Sequence, residues 1–175
     1  RLNTSVSTVR RTANAVQILD RQGQSDKFDA VVIATHADQA LNLLADADFM
    51  ETRVLGKIGY QRNIAILHTD ERLMPRRRKC WSSWNYMQSP HEDDHMCVTY
   101  WLNRLQDLKT DTQLFVTLNP DEPPREGTIV RSYLYDHPVY DAAAVDAQKK
   151  LRQLQGRNRT WFCGAHFGFG FHEDC

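Results

Sequence analysis

The fifteen residues from Trp161 to Cys175, WFCGAHFGFGFHEDC, constrain the fold more than any other stretch. They read as a short strand entering a glycine-rich turn that opens a helix. A helix starting there offers free backbone N–H groups and the positive end of its dipole, which suits an anionic group. Because the chain stops at Cys175, this element is expected to be cut through.

A second strand of similar character lies early in the chain. Ala30-Val-Val-Ile-Ala34 is apolar, mostly β-branched and without alternation, which predicts a strand covered on both faces, as in a parallel sheet flanked by helices. Ala37, Ala40, Leu41 and Leu44 follow at helical spacing, with Thr35 as the expected cap. Before them, Val6 to Arg10 and Val16 to Ile18 read as a β-ribbon, with a turn at Arg21-Gln-Gly23-Gln-Ser.

The middle of the chain changes period. Ile58 to His68 places Ile58, Tyr60, Ile64, Ile66 and His68 at mostly even spacing; Trp81–Met87 and Met96–Leu102 predict an antiparallel pair; Leu114–Leu118 and Ile129–Tyr135 add two strands. The resulting antiparallel sheet has a face broad enough to wall a pocket. Helix–strand order then returns, with Asp141 capping a helix from Ala142 to Gln155, Gly156 ending it, and Thr160–Cys163 as a buried strand.

Charge narrows the choice of partner. Twenty-two basic and 22 acidic side chains cancel, so no nucleic-acid or membrane-surface partner is expected and specificity must come from a pocket. No stretch reaches the length of a membrane span and the N-terminus lacks a signal-peptide core, which predicts a cytoplasmic protein. Four dispersed cysteines without a C-x-x-C pair predict free thiols, with Cys163 buried in a strand. There is no G-x-S-x-G elbow, so a hydrolase is disfavoured.

Asp29-Ala-Val-Val-Ile-Ala-Thr-His36, Leu73-Met-Pro75, Trp81-Ser-Ser-Trp84-Asn-Tyr86, Phe115 to Pro120, His137-Pro138, and Trp161 through Asp174 together resemble the flavin-containing amine oxidase superfamily. Within it they are similar to the bacterial FAD-dependent oxidoreductases described as predicted NAD/FAD-binding proteins. The resemblance implies an α+β (α/β-derived) fold: the mixed, largely antiparallel sheet of a substrate domain, plus strand–helix pieces of an FAD-binding domain. Residues 1–56 and 141–175 would form the FAD-binding pieces and residues 57–140 the substrate sheet, in one compact body.

The superfamily's G-x-G-x-x-G unit, a strand, tight turn and helix with an acidic residue some twenty positions on, is not found; Gly164 to Gly170 has the wrong spacing. The chain therefore resembles the C-terminal part of such a protein, expected to bind FAD poorly and to be inactive by itself. A homo-oligomer formed through edges left open at Ala30–Ala34 and Thr160–Gly164 is also expected.

Residue by residue, the resemblance implies that the Val6 backbone meets the adenine, against the simpler reading of a packed strand residue. It places Ala34 and Thr35 at the adenosine and pyrophosphate, Gly164 and Ala165 at a strand end, and Glu173 and Asp174 near the pyrophosphate and flavin ring. Ala165 stands where many amine oxidases carry an acid, and Cys175 where the pattern continues with Gly. Trp84, Tyr86, Tyr100 and Phe169 are candidates for the substrate pocket, where flat aromatic surfaces give apolar contact; core packing is the competing role.

Two further motifs have simpler readings. His91-Glu-Asp-Asp-His95 has metal-compatible spacing, but it follows Pro90 in a polar loop with no third ligand nearby, so no metal is expected. Arg76-Arg-Arg-Lys79 is expected to be a solvated turn. Two function classes remain open: a flavin oxidoreductase acting on an amine-type or apolar small molecule, and a non-enzymatic α+β module that binds a ligand or partner.

Overall fold

Gly23 takes φ +82°, a backbone conformation that glycine reaches without penalty. It lets β2 (Val16–Asp20) reverse into β3 (Ser25–Phe28), and β1 (Val6–Arg11) pairs antiparallel on the other side of β2. The computed structural model describes residues 2–88 and 96–171. It divides into two compact units, Arg1–Gln61 with His137–Cys175, and Arg62–Asp136.

In the first unit, β4 (Val31–Ile33) and β10 (Thr160–Phe162) pair in parallel, with Val32 opposite Trp161. Strand alternation turns Ile33 and Phe162 inward, each 4% exposed, and leaves Val32 at 64% and Trp161 at 42%. The expectation of a strand covered on both faces therefore holds for one face only. The pleat sends alternate side chains to opposite sides, and among the described residues the outer side stays open.

The covered side packs against helices. α1 (Ala37–Leu43) buries Ala37 and Ala40, and α4 (Ala142–Leu151) buries Ala144, Ala147 and Leu151. Of these, Ala37, Ala40, Ala147 and Leu151 form one core with Val9, Val16, Leu44, Val54, Leu55, Ile58 and Leu154. Full burial of a large aliphatic contributes about 1.5–3 kcal/mol. Asp141 caps α4 by accepting from Ala144 N at 2.8 Å, and the chain runs on through a 3-10 turn at Arg152–Leu154 to Gly156, at φ +76°. The N-cap of α1 is His36 rather than Thr35: Gln39 Oε1 reaches back to His36 N at 3.3 Å, while the Thr35 hydroxyl donates to His36 O.

A further helix, α2 (Phe49–Leu55), begins with a reciprocal cap in which Asp48 accepts from Glu51 N and Glu51 from Asp48 N, both at 2.8 Å. The sequence Asp48-Phe-Met-Glu51 carries this D-x-x-E signal. Glu51 is 0% exposed because it also grips Arg11 of β1: Arg11 Nη1 and Nη2 both donate to its carboxylate, the second at 2.7 Å. Arg11 Nε donates to Asp46 at 3.1 Å and Nη2 to Asp46 O at 2.9 Å. The guanidinium thus ties the ribbon to α2 and to the link before it.

The second unit is built on a five-stranded antiparallel sheet in the order β6-β7-β8-β5-β9. Its strands are β5 (Gly59–His68), β6 (Trp84–Gln88), β7 (Met96–Trp101), β8 (Phe115–Leu118) and β9 (Ile129–Val139), with a short α3 (Leu102–Leu105) after β7. The chain passes between the units along β5 and β9. One sheet face buries polar groups that satisfy one another. His68 Nδ1 accepts from Asp70 N at 3.1 Å, so Nε2 carries the proton and donates to Thr117 Oγ1 at 2.7 Å. The Thr117 and Thr99 hydroxyls then share a hydrogen bond of 2.8 Å. This chain needs a neutral imidazole, and burial lowers the pKa of His68 accordingly.

Mixed helices and antiparallel sheets make this an α+β fold, as the sequence predicts. No helix of the described residues is long and apolar enough to cross a membrane. Cys80, Cys97 and Cys163 are free thiols, and Cys163 is half-buried just past β10 rather than within it.

Candidate functional site

Parallel strands place their carboxyl ends side by side, and in open α/β layers that edge is where ligands bind. β4 and β10 do this here. Cys163 N donates to Ile33 O at 3.1 Å, extending the pairing one residue before the chains part, one toward α1 and the other into a 3-10 turn at Ala165–Phe167. Thr35 and Gly164 meet at that fork: a Cβ built on Gly164 would lie 3.4 Å from Thr35 O and 3.0 Å from the His166 ring atoms Cε1 and Nδ1. With φ +148° as well, this position requires glycine. Ala34 is exposed and Thr35, Gly164 and Ala165 are half-buried, so four of the sequence candidates share one edge.

The turn after Gly164 is held from behind. Ala165 O accepts from Gly168 N at 3.3 Å, Gly170 N at 3.1 Å and the Tyr140 hydroxyl at 3.1 Å. Gln148 of α4 donates to His166 O at 3.1 Å and Gly168 O at 2.6 Å. Gly170, at φ +93°, has room only for hydrogen, since a Cβ would fall 3.0 Å from the Tyr140 oxygen. Gln148 sits in the helical register of the sequence, but its role as clamp could not be read there.

Two histidines complete the edge. His36 stacks on Tyr60 with ring centroids 4.4 Å apart, and the Tyr60 oxygen accepts from Ala37 N at 2.8 Å. His166 is 3% exposed, and its Nε2 is buried with no hydrogen-bond partner among the described residues. Burial, and next the neighbouring His36, lower its pKa to about 4, so the ring is neutral at pH 7. Neither histidine was a sequence candidate; a His directly after a strand-end Gly-Ala pair was the available signal.

The other candidates lie elsewhere. Val6, 39% exposed, lines an open groove of about 580 Å³ with Ile18, Phe28 and Asp20. Asp20 Oδ1 accepts from Gln22 N and Gln24 N, while Oδ2 is buried without a partner among the described residues. Phe169 is 83% exposed in the glycine-rich turn. Glu173 and Asp174, like His91 and His95, lie outside the described residues.

In the second unit Trp84 and Tyr100 are cross-strand partners with rings 5.7 Å apart, edge to face. Tyr86 follows two residues after Trp84 on the same face, which is opposite to the buried Asn85, Thr99 and Thr117. The structure thus brings Trp84, Tyr86 and Tyr100 together as one aromatic surface, with Trp84 and Tyr86 exposed.

No family model and no curated protein matches the sequence. Solved structures do match the fold. The CLA-producing fatty acid isomerase from P. acnes superposes with a TM-score of 0.65 at 19% identity, over 98% of this chain and 44% of its own. Putrescine oxidase, in a form redesigned for cofactor binding, gives 0.61 at 10% identity, over 96% of this chain and 44% of its own. Both are flavin amine-oxidase-like folds, and at these identities the likeness concerns the fold alone. The chain spans less than half the length of either.

Proposed function

We propose that the chain is part of an FAD-dependent oxidoreductase and that the carboxyl edge of β4 and β10 faces the cofactor. The observation that carries this reading is the fork at Thr35 and Gly164, where the carboxyl ends of the parallel strands part and the glycine, packed on the His166 ring and Thr35 O, admits no side chain. The residues present fit such a group. The carboxyl edge of parallel strands is where α/β layers receive such ligands, and among the described residues His166 Nε2 at this edge has no hydrogen-bond partner.

In this reading Ala34, Thr35, Gly164 and Ala165 border the cofactor, Glu173 and Asp174 follow, and the Val6 strand receives the adenine end. Bound FAD would supply the hydride acceptor. The protein's own part is orientation and exclusion of water. Tyr140 and Gln148 fix the turn, and the aromatic surface of Trp84, Tyr86 and Tyr100 offers apolar contact to an amine-type or apolar substrate.

Since the chain spans 44% of each structural neighbour, hydride transfer belongs to the whole protein, and the 175 residues alone are expected to be inactive. Expression of the complete reading frame that contains this chain tests the proposal. Copurified flavin is the expected result. A folded product without flavin would favour the non-enzymatic binding module.

A further inference from the structure

We propose that a cleft between α2 and α4 binds a phosphate group, at a place that shares no residue with the cofactor edge and does not depend on it. The cleft holds about 140 Å³, with Arg53, Val54 and Lys57 on the α2 side and Asp146, Ala147 and Lys150 on the α4 side. Val54 and Ala147 belong to the core of the first unit, so the inner end of the cleft is fixed. Arg53, Lys57 and Asp146 are exposed and Lys150 is half-buried, so their charged ends are open to a ligand from solvent.

Charge and size select the ligand. Lys149 and Lys150 both turn to Asp146, at 3.8 and 2.6 Å. Arg53 acts on the same carboxylate, which these cations, Lys150 foremost, hold below its ordinary pKa. Among the described residues Arg53 and Lys57 themselves form no ion pair and no side-chain hydrogen bond. Asp146 is the one acid that lines the cleft, so four cations meet a single carboxylate, in a chain whose basic and acidic side chains otherwise balance. Like charges gathered at a concave surface raise the local potential and concentrate anions there. A water occupies about 30 Å³ in the liquid, so the 140 Å³ cleft holds about four or five groups of that size. That suits a tetrahedral oxyanion, whereas pockets for drug-sized ligands begin near 300 Å³. The Arg53 guanidinium can grip two phosphate oxygens as a fork, and Lys57 and Lys150 can reach the others as point charges.

The test is an NMR titration of the 15N-labelled 175-residue chain with inorganic phosphate and, separately, with glycerol 3-phosphate, sodium chloride holding the ionic strength constant. The readouts are the amide resonances of Arg53, Lys57, Ala147 and Lys150. Saturable movement of these four with at least one of the two compounds is expected, and the tighter compound tells free phosphate from the phosphate of an ester. Movement that does not saturate, that chloride alone reproduces, or that is no larger here than at other lysines and arginines would overturn the site. Two exposed substitutions have opposite expected signs. Arg53→Gln should weaken binding about tenfold, the equivalent of one charge-assisted hydrogen bond. Asp146→Asn removes the carboxylate that competes for Lys150 and should strengthen binding about 2–5-fold. With the fold of each variant checked by circular dichroism, unchanged affinity in Arg53→Gln, or weaker binding in Asp146→Asn, would overturn the proposal.

Discussion

Replacing Glu51 by Gln is expected to destabilise the protein far more than so conservative a change would on a surface. Arg11 and Glu51 side chains are 1% and 0% exposed, so the guanidinium has lost its water. Its remaining counter-charge would be Asp46, itself 36% exposed and therefore screened. Removing one partner of a buried pair costs about 3–5 kcal/mol; Gln keeps one acceptor for Arg11, which places Glu51→Gln near the lower limit, about 3 kcal/mol. Urea melts followed by far-UV circular dichroism measure this, and hydrogen exchange should show the loss concentrated in β1 and α2.

The double variant Arg11→Met with Glu51→Leu is the control. Replacing both charges by apolar groups of similar size is often neutral or better, although the cap on Asp48 N and the Arg11 hydrogen bonds to Asp46 are lost with them. The double variant should therefore be no less stable than Glu51→Gln, which leaves the buried Arg11 charge without its closest counter-charge. A Glu51→Gln cost under about 1 kcal/mol, the range of exposed ion pairs, would refute the reasoning, and so would a double variant less stable than the single one.

Three other outcomes follow from the geometry. His166 has a folded pKa lowered to about 4 from the ordinary 6.5, so its contribution is complete above pH 6.5 and is lost as pH falls toward 4, by at most about 3 kcal/mol; urea midpoints at pH 7 and pH 4.5 should show a drop that His166→Phe reduces, and an identical drop in that variant would contradict it. Thr117→Val should cost about 1–3 kcal/mol, because it strands the His68 Nε2–H at 0% exposure; a thermal melt unchanged from wild type would argue against the network. Asp70 is held well below the usual carboxylate range, first by hydrogen bonds from Arg72 and also by Arg125 N. Its stabilisation is therefore present above the unfolded carboxylate pKa and lost as pH falls through the lower folded value, and an acid titration of Asp70→Asn should be flatter there than that of wild type.

Local signals carried most of the fold. The β-branched run at Ala30–Ala34, the Asp141 cap with its Gly156 stop, and the alternation in Trp84–Met87 and Met96–Trp101 each correspond to an observed element, because each depends on residues close in sequence. α2 went unread although Asp48 and Glu51 spell its cap. The burial of Arg11 could not be read at all: its partners Asp46 and Glu51 are 35 and 40 positions away, and no period links them. The same holds at the candidate site. Thr35 and Gly164 were legible as strand ends, but that they meet, and that His166 lies beneath Gly164 with a free nitrogen, depends on the parallel pairing of β4 and β10 across more than half of the chain.

The carboxyl edge of β4 and β10 is the proposed place of the cofactor. The most direct measurement is the flavin content per polypeptide of the purified complete protein, wild type against Gly164→Val, where the added side chain would collide with the His166 ring and Thr35 O. Near-stoichiometric flavin in the wild type, and a folded Val variant with most of it lost, is the predicted result. Equal flavin in both proteins, or a folded wild type with none, would contradict it.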